Sequence, residues 1–250
     1  MYKLYNGDCL EVMDKLIKDE VKVDMILTDP PYGTTACKWD NIIPFDEMWS
    51  KINKLIKPNG AIALFGSEPF SSNLRMSNIK NYKYDLKWQK EQGSDFMLAK
   101  MKPLKDYEDI MIFYKKQPTY NPQMREGFKP WIKNDTGNNI IEHLGEKEIP
   151  QQKRSIGSKR YPISIIKFNR EKTRLHPTQK PVLLMEWLIK TYTNEGELVL
   201  DFTMGSGSTG VACLNTNRKF IGIELDEKYF NIAKERMRVA VAKSRQKRLF

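Results

Sequence analysis

Short apolar runs alternate with amphipathic stretches along most of this 250-residue chain, and that alternation limits its possible folds more than any other feature. Such runs are typical of buried parallel strands, which carry apolar residues on both faces. The runs are Val23 to Leu27, Ala61 to Phe65, Leu198 to Leu200 and Phe220 to Ile223. The predicted helices are Glu11 to Lys18, Phe45 to Ile56, Pro181 to Thr193, Val211 to Asn215 and Glu227 to Ala242. Strands that alternate with helices predict a doubly wound, mostly parallel α/β sheet.

Residues 117–174 interrupt this pattern with a stretch rich in Lys, Arg, Asn, Pro and Gly. We therefore predict a catalytic domain built from residues 1–116 and 175–250, with residues 117–174 as an inserted region. Long irregular segments are often surface insertions. Basic residues interspersed with aromatic ones also suit contacts to phosphates and bases, and this interpretation is favoured here. The candidate DNA-binding residues are Lys129, Lys153, Arg154, Lys159 and Arg160.

The net charge of +11 favours a polyanionic partner, with nucleic acid first and an anionic membrane second. Three widely spaced cysteines fit a reduced, cytoplasmic setting, and two histidines are too few for an ordinary zinc site. We therefore expect no metal. The N-terminus does not resemble a signal peptide, and no apolar run approaches the length of a membrane span.

A proline-rich loop, LTDPPYG at residues 27–33, follows the first apolar run. Open α/β sheets bind ligands at the carboxyl ends of their strands, and two consecutive prolines stiffen the chain there. The Asp29 carboxylate and the Pro30 carbonyl can accept N–H bonds from an amine whose lone pair is delocalised into a nucleobase. Tyr32 is suited to stack on a base turned out of a duplex. The competing interpretation is a simple turn, because Asp-Pro is a common turn dipeptide.

A glycine-rich loop, DFTMGSGSTG at residues 201–210, follows the third apolar run and precedes a helix. Glycines let the backbone approach a ligand closely, and the helix N-terminus supplies N–H donors. The next apolar run ends at Glu224, where an acidic residue can accept hydrogen bonds from both ribose hydroxyls of a nucleoside. A plain strand-to-helix turn is the alternative.

Two further segments carry polar residues next to predicted helices. Asp8, in NGDC at residues 6–9, is a candidate acceptor for an adenine amino group and equally a candidate helix cap. The segment HPTQKP at residues 176–181 leads into another helix, and its polar residues either contact a cofactor or cap that helix.

Together these motifs resemble the β class of S-adenosylmethionine-dependent DNA amino-methyltransferases, which modify adenine N6 or cytosine N4. Residues 29–32 resemble the D/S-P-P-Y catalytic motif, residues 201–210 the glycine-rich cofactor motif, and residues 176–181 the segment preceding it. Their order, with an insertion between the first and the others, is the order of the β class. The resemblance covers nearly the whole chain. It implies a seven-stranded, Rossmann-like methyltransferase sheet and target recognition by the insertion.

Carried over by position, the resemblance assigns two sets of site residues. The base pocket comprises Asp29, Pro30, Pro31 and Tyr32. The cofactor contacts are Asp8, Cys9, Asp29, Thr178, Lys180, Asp201, Phe202, Gly205, Ser206, Gly207, Ser208 and Glu224. The chain departs from the family's D-P-F-x-G-S-G-T, because Phe202-Thr203 replaces Pro-Phe and Ser208 replaces Thr. The departure at Thr203 removes an expected aromatic ring.

The resemblance implies S-adenosylmethionine as cofactor, double-stranded DNA as substrate and a homodimer, with a cognate restriction endonuclease as a candidate partner. Asp rather than Ser at position 29 resembles the adenine enzymes, so we expect methylation of adenine N6, with cytosine N4 as the alternative. RNA and protein-glutamine methyltransferases have related loops, but the basic insertion and the motif order favour DNA. A non-catalytic DNA-binding subunit is the alternative from another functional class.

Overall fold

The computed structural model describes residues 1–34, 40–129, 157–171, 173 and 175–246. Strands and helices alternate through the first and last parts of the chain. The strands are β1 (Tyr2–Asn6), β2 (Val23–Thr28), β3 (Ile56–Gly66), β4 (Tyr82–Ser94), β5 (Lys105–Phe113), β6 (Ile165–Lys167), β7 (Leu198–Asp201) and β8 (Lys219–Glu224). The helices are α1 (Cys9–Lys18), α2 (Phe45–Leu55), α3 (Phe70–Ser77), α4 (Val182–Tyr192), α5 (Ser208–Asn215) and α6 (Glu227–Gln246), with a short 3₁₀ turn at Phe96–Leu98.

All these strands form one sheet in the order β1-β8-β7-β2-β3-β5-β4-β6. Every neighbouring pair is parallel except β3–β5 and β5–β4, which are antiparallel. Strands β2 and β7 are parallel neighbours, with Met25 paired to Val199 and Ile26 to Leu200. Their carboxyl ends therefore lie side by side at one edge of the sheet.

Both faces of the sheet are covered by helices, as the alternation predicts. One core contains the buried apolar residues of α1, α2 and α3, and the other contains those of α4, α5 and α6. Helix α1 illustrates why a helix forms where it does. Asp8 caps its first turn by accepting hydrogen bonds from the amides of Leu10 and Glu11 at 2.8 and 3.2 Å. Val12, Met13 and Leu16 then recur at helical spacing and are buried.

The predicted α/β class and mostly parallel sheet are confirmed, with eight strands among the described residues instead of seven. The additional strand, β6, is three residues long and pairs with β4, and it arises within the predicted insertion. The long hairpin of β4 and β5 was not among the predicted strands. Its outer strand β4 carries charged residues between apolar ones, so it lacks a continuous apolar run.

The chain divides into two compact units, one of Met1–Asn121 with Ser164–Phe250 and one of Pro122–Ile163. The first unit contains the whole sheet and all six helices. In the described part of the second unit, Arg125 and Arg160 form an antiparallel bridge. The assignment of residues 117–174 to target recognition stays a prediction.

Candidate active site

The proline-rich loop and the glycine-rich loop follow β2 and β7, the two parallel neighbours at the centre of the sheet. The Thr203 hydroxyl donates a hydrogen bond to the Asp29 backbone carbonyl at 3.0 Å, so the two loops are in direct contact. Parallel pairing of the strands causes this meeting, because it places both carboxyl ends at the same edge. Residues separated by more than 170 positions in sequence therefore share one site.

A hydroxyl network around Asp201 joins the two loops below this contact. The buried Asp201 carboxylate accepts hydrogen bonds from the hydroxyls of Thr28 and Thr209, at 2.5 and 2.6 Å, and from the Thr203 amide at 3.1 Å. Burial raises the pKa of Asp201 to about 6, against the opposing effect of these donors. Asp201 therefore organises the loops, and Thr203 links them where the family has an aromatic ring.

Asp40 anchors the C-terminal part of the proline-rich loop. Its Oδ1 accepts hydrogen bonds from the amides of Tyr32 and Gly33 at 2.8 and 2.9 Å, and its Oδ2 accepts one from the Thr34 amide at 2.9 Å. Three charge-assisted bonds from successive amides hold the loop in a single conformation. Nothing in the sequence marks Asp40, since a lone aspartate has no motif.

The Asp29 carboxylate is half-buried among charged and polar side chains. The Tyr32 hydroxyl donates to its Oδ1 and the Lys180 ammonium donates to its Oδ2. Lys180 also lies 3.2 Å from Oε2 of Glu108, whose Oε1 lies 2.6 Å from the Lys90 ammonium. The four charged groups therefore form a chain in which carboxylates and ammonium groups alternate.

Burial and mutual interaction shift the pKa values of Asp29, Lys180 and Glu108 in this row of charged side chains. Burial raises the pKa of Asp29, an effect that the Lys180 cation opposes only in part. Burial also disfavours the charged form of Lys180, but the carboxylates of Asp29 and Glu108 outweigh it and raise its pKa. The neighbouring cations Lys180 and Lys90 likewise outweigh burial at Glu108 and lower its pKa. Lys180 is thus held as a cation between two acidic groups.

The glycine-rich loop is held by side chains from β8 and α6. Glu224 accepts hydrogen bonds from the amides of Gly205 and Asp226, both at 2.8 Å. Arg236 donates to the Ser206 carbonyl at 2.7 Å. Gly207 caps α5 with φ +80°, a backbone conformation that favours glycine. Contacts within the protein therefore define the shape of the loop.

The segment HPTQKP lies beside the glycine loop. The His176 ring packs edge-on against Tyr229, with centroids 4.1 Å apart, and its Nδ1 is 3.1 Å from the Thr178 hydroxyl. Burial, with a smaller contribution from the Lys180 cation, lowers the pKa of His176 to about 4. The imidazole is therefore neutral at pH 7. Gln179 accepts a hydrogen bond from the Ser206 hydroxyl at 3.3 Å, which connects the segment to the loop.

A cavity of about 380 Å³ lies between these elements. Every predicted catalytic and cofactor-binding residue except Gly207 lines it. Gly207 packs against Ala233 of α6 instead. Cavity residues outside the two predicted sets of site residues include Thr34, Asp40, Ile42, His176, Gln179 and Thr203. Position in a known motif was the only signal for His176 and Gln179, and none existed for Ile42.

Asp8 and Cys9, two of the predicted cofactor contacts, lie at the start of α1. Asp8 uses its Oδ1 as the cap of α1, so the cap interpretation and the cavity position both hold for this residue. Burial raises the pKa of the Cys9 thiol to about 12, with Asp8 adding to the effect. The thiol is therefore protonated at neutral pH and is not a nucleophile.

The cavity fits S-adenosylmethionine in size and charge. Its volume is within the range of pockets for small ligands. The walls carry the carboxylates of Asp8, Asp29 and Glu224, which suit a ligand with a sulfonium and an ammonium group. The neutral His176 adds no repulsive charge to this wall. Glu224 and the glycine loop would hold the nucleoside part.

Three of the five candidate DNA-binding residues lie in the described part of the second unit, whereas Lys153 and Arg154 lie outside the described residues. Arg160 donates to the carbonyls of Gly157 and Lys129 at 2.7 and 2.9 Å, so its guanidinium is part of the local framework. Lys129 and Lys159 are exposed, and Lys159 pairs with Glu126 at 2.9 Å.

Within the described ranges, no group of three or more His, Cys, Asp and Glu side chains is arranged to hold a metal ion. None of the helices described has the length and apolar character needed to cross a bilayer.

Comparisons with known proteins identify the family of this chain. The family model described as DNA methylase, of the N6/N4 methyltransferase type, matches residues 23–235. The Escherichia coli protein YhdJ, named a DNA adenine methyltransferase, is 26% identical over 95% of this chain and 83% of its own length. The structure of the M1.HpyAVI–SAM complex is 27% identical, with a TM-score of 0.66 over 94% of this chain and 100% of that one.

A cytosine-N4-specific enzyme, the PvuII DNA methyltransferase, has the same fold. Its TM-score is 0.67 at 17% identity, over 94% of this chain and 86% of that one. The matched family and the common fold extend over both loops and the strands that carry them. The chain therefore belongs to the DNA methylase family of S-adenosylmethionine-dependent N6/N4 amino-methyltransferases.

Proposed function

We propose that this chain is a site-specific DNA methyltransferase that methylates N6 of an adenine rotated out of the duplex. One observation carries the proposal: the Asp29 carboxylate and the glycine-rich loop face the same cavity. A base amine held at Asp29 and a methyl donor held at the loop would therefore be neighbours. Holding two reactants in contact can supply a large part of the rate enhancement.

The proposed acceptors are Asp29 and Pro30. An exocyclic amine becomes a better nucleophile when its two N–H groups are bonded out of the ring plane, because the nitrogen lone pair then leaves the ring system. The Asp29 carboxylate and the Pro30 carbonyl each take one N–H group. Tyr32 forms a wall of the cavity, and its ring is supported by Phe70 at 4.9 Å, so it is placed to stack on the base.

S-adenosylmethionine, when bound, supplies an electrophilic methyl group on its sulfonium. Glu224 and the glycine loop would hold this cofactor so that its methyl group could pass directly to the base nitrogen as its bond to sulfur breaks, with no covalent bond to the protein. The nitrogen then carries positive charge, which the Asp29 carboxylate stabilises. Asp29 takes the proton that the nitrogen must lose and passes it to solvent. Because burial raises the pKa of Asp29, it is a better base than an exposed aspartate.

The choice of adenine is supported by the aspartate at position 29 and by the likeness to YhdJ. A cytosine-N4 enzyme shares the fold, so fold alone does not decide the base. The test is to incubate the protein with S-adenosylmethionine and duplex DNA of varied sequence, and to digest the product to nucleosides. N6-methyladenine is expected, whereas N4-methylcytosine would identify the alternative base. Unmodified DNA together with calorimetric binding of S-adenosylmethionine would contradict the enzymatic proposal.

We further propose that the unit Pro122–Ile163 contacts DNA through its exposed cations. The guanidiniums of Arg125 and Arg160 each lie over the Phe128 ring, at 5.0 and 5.5 Å from the ring centroid. These contacts stabilise the backbone next to Lys129 and Lys159, whose side chains are exposed. A homodimer and a partner restriction endonuclease stay predictions from the resemblance.

The double variant Lys129→Gln/Lys159→Gln is expected to weaken DNA binding and to lower the slope of log K against log salt by about two, because each phosphate contact releases about one counterion. Fluorescence anisotropy at several salt concentrations measures this slope. The double variant Lys15→Gln/Lys18→Gln removes two exposed lysines of α1 as the matched control. Equal slopes for the two double variants would argue against the proposed contacts.

A further inference from the structure

Both oxygens of Asp29 already accept hydrogen bonds within the protein, which creates a problem for the proposed reaction. Oδ1 accepts from the Tyr32 hydroxyl and Oδ2 accepts from the Lys180 ammonium. The incoming amine needs one of these oxygens in good geometry. One of the two donors must therefore yield when the base enters, and the surroundings indicate which of them does.

Tyr32 is firmly placed. Its ring stacks on Phe70 at an interplanar angle of 30°, and its backbone amide is bonded to Asp40. Its hydroxyl cannot leave Asp29 without displacing the ring and the loop. Lys180 instead has a long flexible stem, and rotation about its last bonds moves the ammonium without moving the backbone.

Glu108 offers Lys180 a second acceptor. Its Oε2 is 3.2 Å from the Lys180 ammonium, yet this buried oxygen has no partner in hydrogen-bonding geometry within the described part of the chain. A carboxylate oxygen that is ion-paired but lacks good hydrogen-bonding geometry is only partly compensated for its burial, so a donor that turns toward it gains stabilisation. Glu108 is itself held in place by Lys90 through its other oxygen.

On the basis of the proposed function, we infer that Glu108 is a positioning residue for methyl transfer. It receives the Lys180 ammonium when the target amine replaces that ammonium at Oδ2 of Asp29. The cation stays buried and paired throughout, because it moves from one carboxylate to another, so no charge is left uncompensated. Asp29 is thereby freed to accept the amine and to stabilise the positive charge on its nitrogen.

The variant Glu108→Gln keeps the shape of the side chain and removes its charge. Lys180 then keeps Asp29 as its only anionic partner in the chain of four charges, and the amine must compete with it. We expect the single-turnover rate of methyl transfer to fall by about 10- to 100-fold, with the dissociation constant of S-adenosylmethionine and the KM for DNA within about twofold of wild type. Glu108→Asp keeps the charge and should retain more activity than Glu108→Gln.

Asp109→Asn is the matched control. Asp109 is the next residue on β5, is buried, and pairs with Arg75 and Lys87, but it projects to the opposite face of the sheet. Its loss should lower thermal stability without lowering the rate of the folded protein. A role of Glu108 in folding alone would make the two variants alike, which would overturn the inference.

A double-mutant cycle with Lys180→Met tests whether Glu108 acts through Lys180. In the Lys180→Met background, Glu108→Gln should lower the rate no further. An equal loss in both backgrounds, or a folded Glu108→Gln variant with the wild-type rate, would refute the inference. Failure of the proposed function is distinguishable, because then wild type and Asp109→Asn would also leave DNA unmethylated.

Discussion

Replacing Asp29 with alanine is expected to lower the rate of methyl transfer by about 10³-fold, or about 4 kcal/mol of transition-state stabilisation. The variant lacks the proposed acceptor at the nitrogen, where positive charge develops. Single-turnover assays with labelled S-adenosylmethionine measure the rate. Binding of the cofactor should change only a few-fold, because Glu224 and the glycine loop are left intact, and isothermal titration calorimetry measures it.

The fold should tolerate this change. Removal of Asp29 leaves the Lys180 cation 3.2 Å from Glu108, so it is not stranded in the interior. Asp14→Ala is the control, since Asp14 is an exposed aspartate of α1 paired with Lys51. A rate for Asp29→Ala within tenfold of the control would remove Asp29 from the proposed mechanism.

Replacing Gly207 with alanine is expected to reduce both stability and cofactor binding. An added Cβ would lie 2.9 Å from Cβ and 3.2 Å from Cα of Ala233 in α6, and it would be attached to a backbone with φ +80°. Backbone strain costs about 1–2 kcal/mol, and the contact with helix backbone adds to it, for a total of about 3 kcal/mol. Thermal unfolding should report a melting temperature lower by about 6–12 °C.

The variant Gly196→Ala separates the effect of backbone strain from the effect of the contact with α6. Gly196 also has φ +80°, but a Cβ there would meet nothing within 4 Å. This variant should show the backbone strain alone and bind S-adenosylmethionine as wild type does, whereas Gly207→Ala should bind at least about tenfold more weakly because the glycine loop moves away from α6. If the two variants lose equal stability and affinity, packing of the loop against α6 is not what shapes the cofactor site.

The motifs were informative because their chemistry is local. Asp-Pro-Pro-Tyr carries its acceptors and its rigidity within four residues, and the glycine loop carries its own turn and helix start. The sequence therefore located both loops and the strands before them, and the family match extends over both. Long-range partners had no such signal. Glu108 is one charged residue on a strand that the apolar pattern did not reveal, and it acquires its place only through sheet pairing.

Thr203 is a second residue whose long-range contact could not be predicted from the sequence. By sequence it is a departure from the family, since threonine replaces an aromatic ring, and its role cannot be read from the motif. The structure places its hydroxyl between the two loops, where it donates to the Asp29 carbonyl. That contact depends on the pairing of β2 with β7.

The sequence by itself determined the α/β class and the positions of the proline-rich and glycine-rich loops, and the family resemblance of its motifs implied the cofactor. The class and the loops follow from side-chain periodicity and from short motifs, which depend on neighbours in the chain. The tertiary structure alone decided which charges meet: Asp29 with Lys180, Lys180 with Glu108, and Asp201 with Thr28. The physical reason is that strand order and register bring distant residues together, and no local pattern encodes the distance between their side chains.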